Sequence, residues 1–248
     1  MKKLLILFLM TCTAAASYAQ SVDFKLNLPL NKPYKMVMVM KMDMDGAQSV
    51  IMDMNTKSTI TFTKLEDRNY TQETVNDAIK MDMDAGMVTM SYDSENPTDD
   101  PMSQMLASEM DKLVGKKITV VMSDKGALIS SDASDEDETN ANPLGDMAIT
   151  ASFPDHPVKP GDTWESEVDV KNEMTIKSTN KYVSKTAEGH LIESSGEMFN
   201  KENESMGTLT GQSIVHPKTF FTQSATMKME MLVQGQSIKM DMQMNIVE

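Results

Sequence analysis

Apolar and polar residues alternate along most of this chain with a period of two, the pattern of β-strands that bury one face. The clearest run covers residues 36–44, where methionine takes every second position and the residues between pass from valine to charge. Shorter Met-x-Met runs recur at 52–54, 81–83, 227–231 and 240–244. Each predicts a row of thioethers along one side of a strand. The alternation predicts strands over 34–45 and 48–64 about an Asp45-Gly46 hairpin, then 69–83 and 87–92 about Ala85-Gly86. On the second strand Val50, Met52, Met54, Ile60 and Phe62 share one face, with Asp53, Asn55, Lys57 and Thr59 opposite. Val37 and Val39 make the start of the first strand apolar on both faces, which predicts a covered section there. Residues 20–33 form a short lead-in, with Leu26, Leu28 and Leu30 alternating and Pro29 and Pro33 limiting any ladder.

The period changes once. Asp100 reads as an N-cap before Pro101, and Met102, Met105, Leu106, Met110 and Leu113 follow at helical spacing up to Gly115. This predicts one helix over 101–114, laid on the sheet as a plug or lid. Strands resume over 116–123 and 127–131. Residues 130–146 then lose all apolar period in a run of Asp, Glu, Ser and Asn, the composition of a solvated linker. The segment 153–164, with three prolines and a glycine, feeds strands over 164–174, 175–185, 190–200, 205–215, 220–233 and 237–247. Nearly all connections are short, which favours an antiparallel meander over βαβ units. The expected fold is mainly β, a curved half-barrel or barrel. It divides into a signal segment (1–19), an N-terminal half (20–131), an acidic linker (132–152) and a C-terminal half (153–248), the two halves continuous. Gln48-Ser-Val-Ile-Met-Asp-Met54 resembles Gln236-Ser-Ile-Lys-Met-Asp-Met242, so the halves are candidates for an internal duplication.

Composition adds the compartment. Residues 1–20 have a basic start, a short apolar run and small residues before Ala19, the pattern of a secretory signal peptide cleaved between Ala19 and Gln20. The minor alternative is a lipobox in which Cys12 becomes an acylated, membrane-anchored N-terminus. Cys12 is the only cysteine, so a chain cleaved after Ala19 has no disulfide and rests on its core. The formal charge of −14 becomes −16 without Lys2 and Lys3, which disfavours nucleic acid as a partner. No later stretch is apolar enough to span a bilayer as a helix. There is no Gly-x-Ser-x-Gly elbow, no His-Glu-x-x-His, no phosphate-binding glycine loop and no calcium loop in the acidic run. A nonenzymatic binding protein without a cofactor is the expectation.

The candidate site is therefore the methionines. Met is unbranched, polarizable and able to re-pack, and mature Met outnumbers Leu by more than two to one. It is also a poorer strand former than Val or Ile, so packing alone does not account for the choice. The first reading is an apolar wall for lipid or lipoprotein-like cargo, built from Met36, Met38, Met40, Met42, Met52 and Met54 together with Met227, Met229, Met231, Met240, Met242 and Met244. The second is a Cu(I) or Ag(I) site of thioethers, with Met38, Met40, Met229 and Met240 as ligands, since soft sulfur selects these ions. An oxidant sink is a third, and an envelope scaffold without small ligand a fourth. The charged residues between the methionines, such as Lys41, Asp43, Asp53, Lys228 and Asp241, fit a solvated outer face.

The signal segment, the stretch Pro157-Val-Lys-Pro-Gly-Asp-Thr-Trp164 and the long antiparallel strands resemble a family of uncharacterised secreted β-rich bacterial envelope proteins. Their architecture is similar to that of the periplasmic lipoprotein carriers, in which a curved antiparallel sheet wraps an apolar concavity closed by helices. That resemblance implies an envelope location and apolar-ligand binding, and brings no catalytic residues. This chain departs from it in offering one helix.

Overall fold

The computed structural model describes residues 21–46, 49–97, 100–131, 152–170, 174–233 and 235–247. The expected signal segment, with Cys12, and nearly all of the expected acidic linker lie outside them. The order is β1 (Pro33–Asp45), β2 (Val50–Glu66), β3 (Asn69–Asp84), β4 (Thr89–Asp93), α1 (Pro101–Met110), β5 (Lys117–Ser123), β6 (Leu128–Ser131), β7 (Thr163–Val170), β8 (Met174–Lys185), β9 (His190–Asn200), β10 (Ser205–Val215), β11 (Thr222–Val233) and β12 (Gln236–Val247). All described strands join one antiparallel sheet in the order β6-β5-β3-β2-β1-β12-β11-β10-β9-β8-β7, with β4 on the free half of β3. The sheet curls into a nearly closed barrel whose seam lies between β6 and β7.

The first and last strands do pair, from Lys35 opposite Val247 to Asp45 opposite Ser237. They do not close the sheet. They meet in its middle, and the unsealed edge falls at mid-chain on either side of the acidic linker. The Gln48–Met54 echo acquires a geometric meaning here. Met54 and Met242 flank Met40 from the two sides, and Met52 and Met240 flank Met42. Val37 and Val39 are half-buried on the outer face, each in register with Lys57 and Asn245 or with Asn55 and Gln243.

The inside has two storeys. At the end where β1 begins, residues 21–32 are no lead-in; they thread the barrel as a plug. Phe24, Leu26 and Leu28 are buried on one side of this extended segment. Its backbone is tied to the wall through Val22 N–H to the Val158 carbonyl, Leu26 N–H to Asp124, and Asn27 N–H to Thr219. Phe24 is the centre of an aromatic cluster. It stacks on Phe153 at 5.2 Å and meets Tyr182, His190 and Phe220 edge-on at 5.2, 5.3 and 5.6 Å. Trp164, at the start of β7, is buried here and donates from Nε1 to the Ser152 carbonyl at 2.6 Å. The opposite storey holds the methionines.

Helix α1 is shorter than the pattern predicted. Asp100 caps it, accepting from Ser103 N–H at 2.9 Å. Beyond Met110 the chain unwinds because Asn76 captures its end: the Asn76 amide donates to the Leu113 carbonyl, and Gly115 N–H donates to the Asn76 carbonyl with φ at +73°. The half-buried stripe is Leu106, Ala107, Met110, Leu113 and Val114, set against the buried Ile79, Met81 and Tyr92, so the helix rests on the inner side of β3 and β4. Met102 and Met105, expected in that stripe, are exposed. The shift follows from Ser103, which turns inward to accept from Ser91 N–H.

Candidate methionine-lined concavity

Strand register assembles the Met-x-Met runs into continuous rows. One inner row runs across six neighbouring strands as Met90, Met83, Met52, Met42, Met240 and Met229, then reaches Leu209 on β10. The next row runs Tyr92, Met81, Met54, Met40, Met242 and Met227. Neighbours lie about 4.8 Å apart across strands and about 6.6 Å apart along them. The sequence gives the repeat along each strand; only register gives the second dimension, which turns rows of thioethers into a sheet of them.

All twelve predicted wall methionines lie on this inner face. Met38, Met40, Met229, Met240, Met242 and Met244 are buried, whereas Met36, Met42, Met52, Met54, Met227 and Met231 keep part of their surface open. Met40, Met229 and Met240 share a packed cluster with Leu209 and Met198, while Met36 belongs to the margin of the aromatic storey. Of the four predicted metal ligands, Met229 and Met240 are in direct register and Met40 is diagonal to Met240. Met38 pairs instead with Met244, two rows from Met240.

The wall's outer face has the opposite character. Lys41 stands between Asp53 and Asp241, and Asp241 faces Lys228. The Lys41–Asp53 and Lys228–Asp241 pairs measure 3.7 and 3.4 Å, exposed contacts worth little individually. Apolar inside and charged outside is the reverse of a barrel that crosses an outer membrane, which carries its apolar band on the outer surface. No helix among the described residues is long and apolar enough to cross a membrane.

A sheet of ten or eleven strands, tilted by about 40° and curled to near closure, places its backbone roughly 10–12 Å from the axis. That is wider than the eight-stranded barrels whose own side chains fill them. The plug fills one storey, and α1 covers one flank of the other.

Sequence reading missed the remaining inner wall. On β7–β10 the same two rows continue as Gly211, Ser194, Asn180 and Trp164, and as Gly196, Ser178 and Ser166. Ser194 donates to Asn180 Oδ1 at 2.6 Å, Asn180 Nδ2 donates to Ser166 at 2.9 Å, and the Ser166 and Ser178 hydroxyls share a bond of 2.8 Å. Alternation could not separate these residues from surface, because Lys177, Thr179 and Lys181 make the other face of β8 polar too.

Titratable groups with displaced pKa values lie away from the methionines. Asp124, at the turn before β6, is buried; burial alone would raise its carboxyl, but hydrogen bonds from Arg68 and Lys25 outweigh that and hold it below the usual range. His190 is held low by burial and by Lys185, with Nδ1 2.9 Å from the Tyr182 hydroxyl. The Tyr92 hydroxyl is pushed up by burial and by its hydrogen bond to Asp111. His216 serves a turn, accepting from Lys218 and Thr219 N–H. His156 lines a cleft of about 920 Å³ that also includes Arg68, Asp124 and Trp164 and opens at the seam. Among the described residues no three His, Cys, Asp or Glu side chains gather as a metal site.

No curated protein matches this chain. Among solved structures, one concerning lipid–protein interactions in lipovitellin superposes with a TM-score of 0.55 at 10% identity, covering 90% of this chain. The chain spans 26% of the length of that protein, and the likeness is one of fold. A domain of an outer membrane lipoprotein-sorting protein from Vibrio parahaemolyticus gives a TM-score of 0.28 at 11% identity, covering 86% of this chain and 85% of its own. A DUF1329 family protein from Desulfovibrio piger gives 0.31 at 10% identity, with 87% of each chain covered. In sequence, residues 67–137, well under half of the chain, match a family of unknown function (DUF6263).

Proposed function

We propose that this chain is a binding protein for an apolar, long-chain guest, carried outside the cytoplasm by its signal-like first segment, with the methionine rows as the contact wall. The observation that carries the reading is the row of six methionines across β4, β3, β2, β1, β12 and β11, part of whose members stay open on the inner face. A row meant only as core would close on itself. Met gives such a wall adaptability that Val or Ile lacks, at some loss of strand propensity. The lipovitellin likeness supports a fold able to enclose lipid, as that structure concerns lipid–protein interactions.

The test uses the mature chain with the neutral dye 1-aminoanthracene. Saturable fluorescence enhancement, displaced by 1-octadecene and reduced at least tenfold in affinity by Met42→Glu or Met52→Glu, supports the reading. Both side chains are half-buried, so the substitutions are tolerable for folding. Dye that never binds saturably, or that octadecene never displaces, overturns it.

Register also favours a second reading. Met42, Met240 and Met229 are adjacent across three strands, close enough for three thioethers to take one Cu(I) or Ag(I). Competition against bicinchoninate at equal Cu(I), weakened by Leu at Met42, Met229 and Met240, supports it; complete retention of copper by the chelator removes it.

A further inference from the structure

The inner wall is not uniform, and its two parts differ in chemistry. Six strands contribute thioethers, while β7, β8 and β9 contribute Ser166, Ser178, Asn180 and Ser194 at the same level. Apolar side chains bound this polar island on both sides, with Ile176, Met198 and Val168 above and Tyr182 and Ile192 below. The four rows through Met38, Met40, Met42 and Met44 contain no charged side chain among their described members.

The network also has donors to spare. The Ser194 hydrogen and one Asn180 N–H are used inside it, and Ser166 and Ser178 share one bond. Two hydroxyls in a single mutual bond leave one O–H over, and an amide that donates once leaves a second N–H. Asn180 is only 4% exposed, so its second N–H lies away from bulk water, and leaving such a donor unmet is costly. An acceptor brought in by a guest would meet both. An acid headgroup is a poor candidate at this depth, because no cation on the inner rows would offset its charge.

We infer that the island is a headgroup subsite, and that the guest is a neutral long-chain ester of the acylglycerol class, its carbonyl oxygen accepting from Asn180 and Ser166 or Ser178 while its chain lies on the methionine rows. Ser166 stands on β7, the edge strand at the seam, so the ester end sits beside the opening and the chain runs away from it. This rests on the proposed apolar-guest reading and adds which end of the guest goes where.

The experiment compares 1-monooleoylglycerol, oleate at pH 8 and 1-octadecene as displacers of 1-aminoanthracene from the mature chain. The expected order is monooleoylglycerol about tenfold tighter than octadecene, with oleate weaker than the ester. Ser166→Ala with Ser178→Ala and Asn180→Leu, which together remove the donors named above, should narrow the ester's advantage to below threefold and leave octadecene unchanged. The wild-type comparison needs no variant, and a second readout guards against misfolding: the infrared band of a ¹³C-labelled ester carbonyl should move to lower wavenumber on binding. Octadecene binding as tightly as the ester, oleate binding more tightly than the ester, or an ester advantage unaltered by the triple substitution each overturns the subsite while leaving the apolar wall standing. Failure of every probe to displace the dye overturns both.

Discussion

Truncating Phe24 to alanine separates a plugged barrel from a barrel with a loose leading segment. The ring is fully buried and lies within 5.2–6.3 Å, centroid to centroid, of Phe153, Tyr182, His190, Phe220 and Trp164. A buried aromatic removes about 150–250 Å² from water, worth about 4–6 kcal/mol at roughly 25 cal/mol per Å². Alanine retains a small share of that, and the cavity left among five rings cannot collapse freely. The measured range for such truncations, about 3–5 kcal/mol, brackets the sum, so about 4 kcal/mol is expected. With a urea m-value of about 2.5 kcal/mol per M, the midpoint should fall by about 1.5 M. Trp164, the only tryptophan in the sequence, lies in the same cluster and reports the transition by its emission. Far-UV circular dichroism follows the sheet, and coincidence of the two curves shows that plug and wall unfold together. Leu30→Ala in the same segment is the control, since Leu30 is 43% exposed and should cost well under 1 kcal/mol. A Phe24→Ala midpoint indistinguishable from that control would refute the reasoning, because the segment would then contribute nothing to the fold.

Two further outcomes follow from single side chains at the rim and the wall. Asp124 is held ionised by Arg68 and Lys25, so its folded pKa lies below its unfolded value, about 3.9. Its contribution is complete above that value and is lost as the pH falls through the folded pKa. Asp124→Asn should therefore cost about 1–2 kcal/mol at pH 7, the released cations being mostly solvated, and the gap to wild type should close in acid; a gap constant in urea midpoints from pH 7 down to about pH 2 would refute it. At Gly196 an added Cβ would overlap the Lys177 carbonyl oxygen and fall 2.9 Å from Ser178 Cα, both backbone atoms of β8. Gly196→Ala should cost about 1–3 kcal/mol by forcing the strands apart, and thermal unfolding unchanged within 1 °C would show that they yield freely.

The strands were legible because all but β6 have buried residues and alternation is local. The predicted limits of β9 and β10 coincide with the observed ones, and those of β1 and β3 differ by one residue. Three things were not legible. Phe24, Leu26 and Leu28 alternate like a strand, but Pro29 and Pro33 argue against a ladder, and nothing local distinguishes an extended plug from an extended lead-in. The sheet order was hidden because pairing is long-range: β1 finds β12 across nearly the whole chain, leaving the seam at mid-chain. The polar island was hidden because β8 is polar on both faces through Ser178 and Asn180. The site was half legible for the same reason. Its apolar half announces itself by methionine, whereas its hydrogen-bonding half looks like surface until the register is known.

The placement of methionine along the barrel supports the proposed guest wall over packing alone. Both storeys are buried by the same twelve-stranded sheet, so a general preference for methionine would act on both. The plugged storey is built from Phe24, Phe62, Tyr70, Phe153, Trp164, Tyr182 and Phe221, with Met122 the only fully buried methionine among them. There the guest is fixed, a segment of the same chain, and rigid rings in defined contacts serve it well. The other storey draws on methionine from six strands, and the corresponding stretches 48–54 and 236–242 deliver it symmetrically to both sides of β1. A surface whose occupant never changes gains nothing from thioethers and gives up strand propensity for them. A surface whose occupant comes and goes, or varies in length and unsaturation, gains a lining that re-packs without a fixed shape. The division between a rigid storey and an adaptable one is what the proposed guest wall requires.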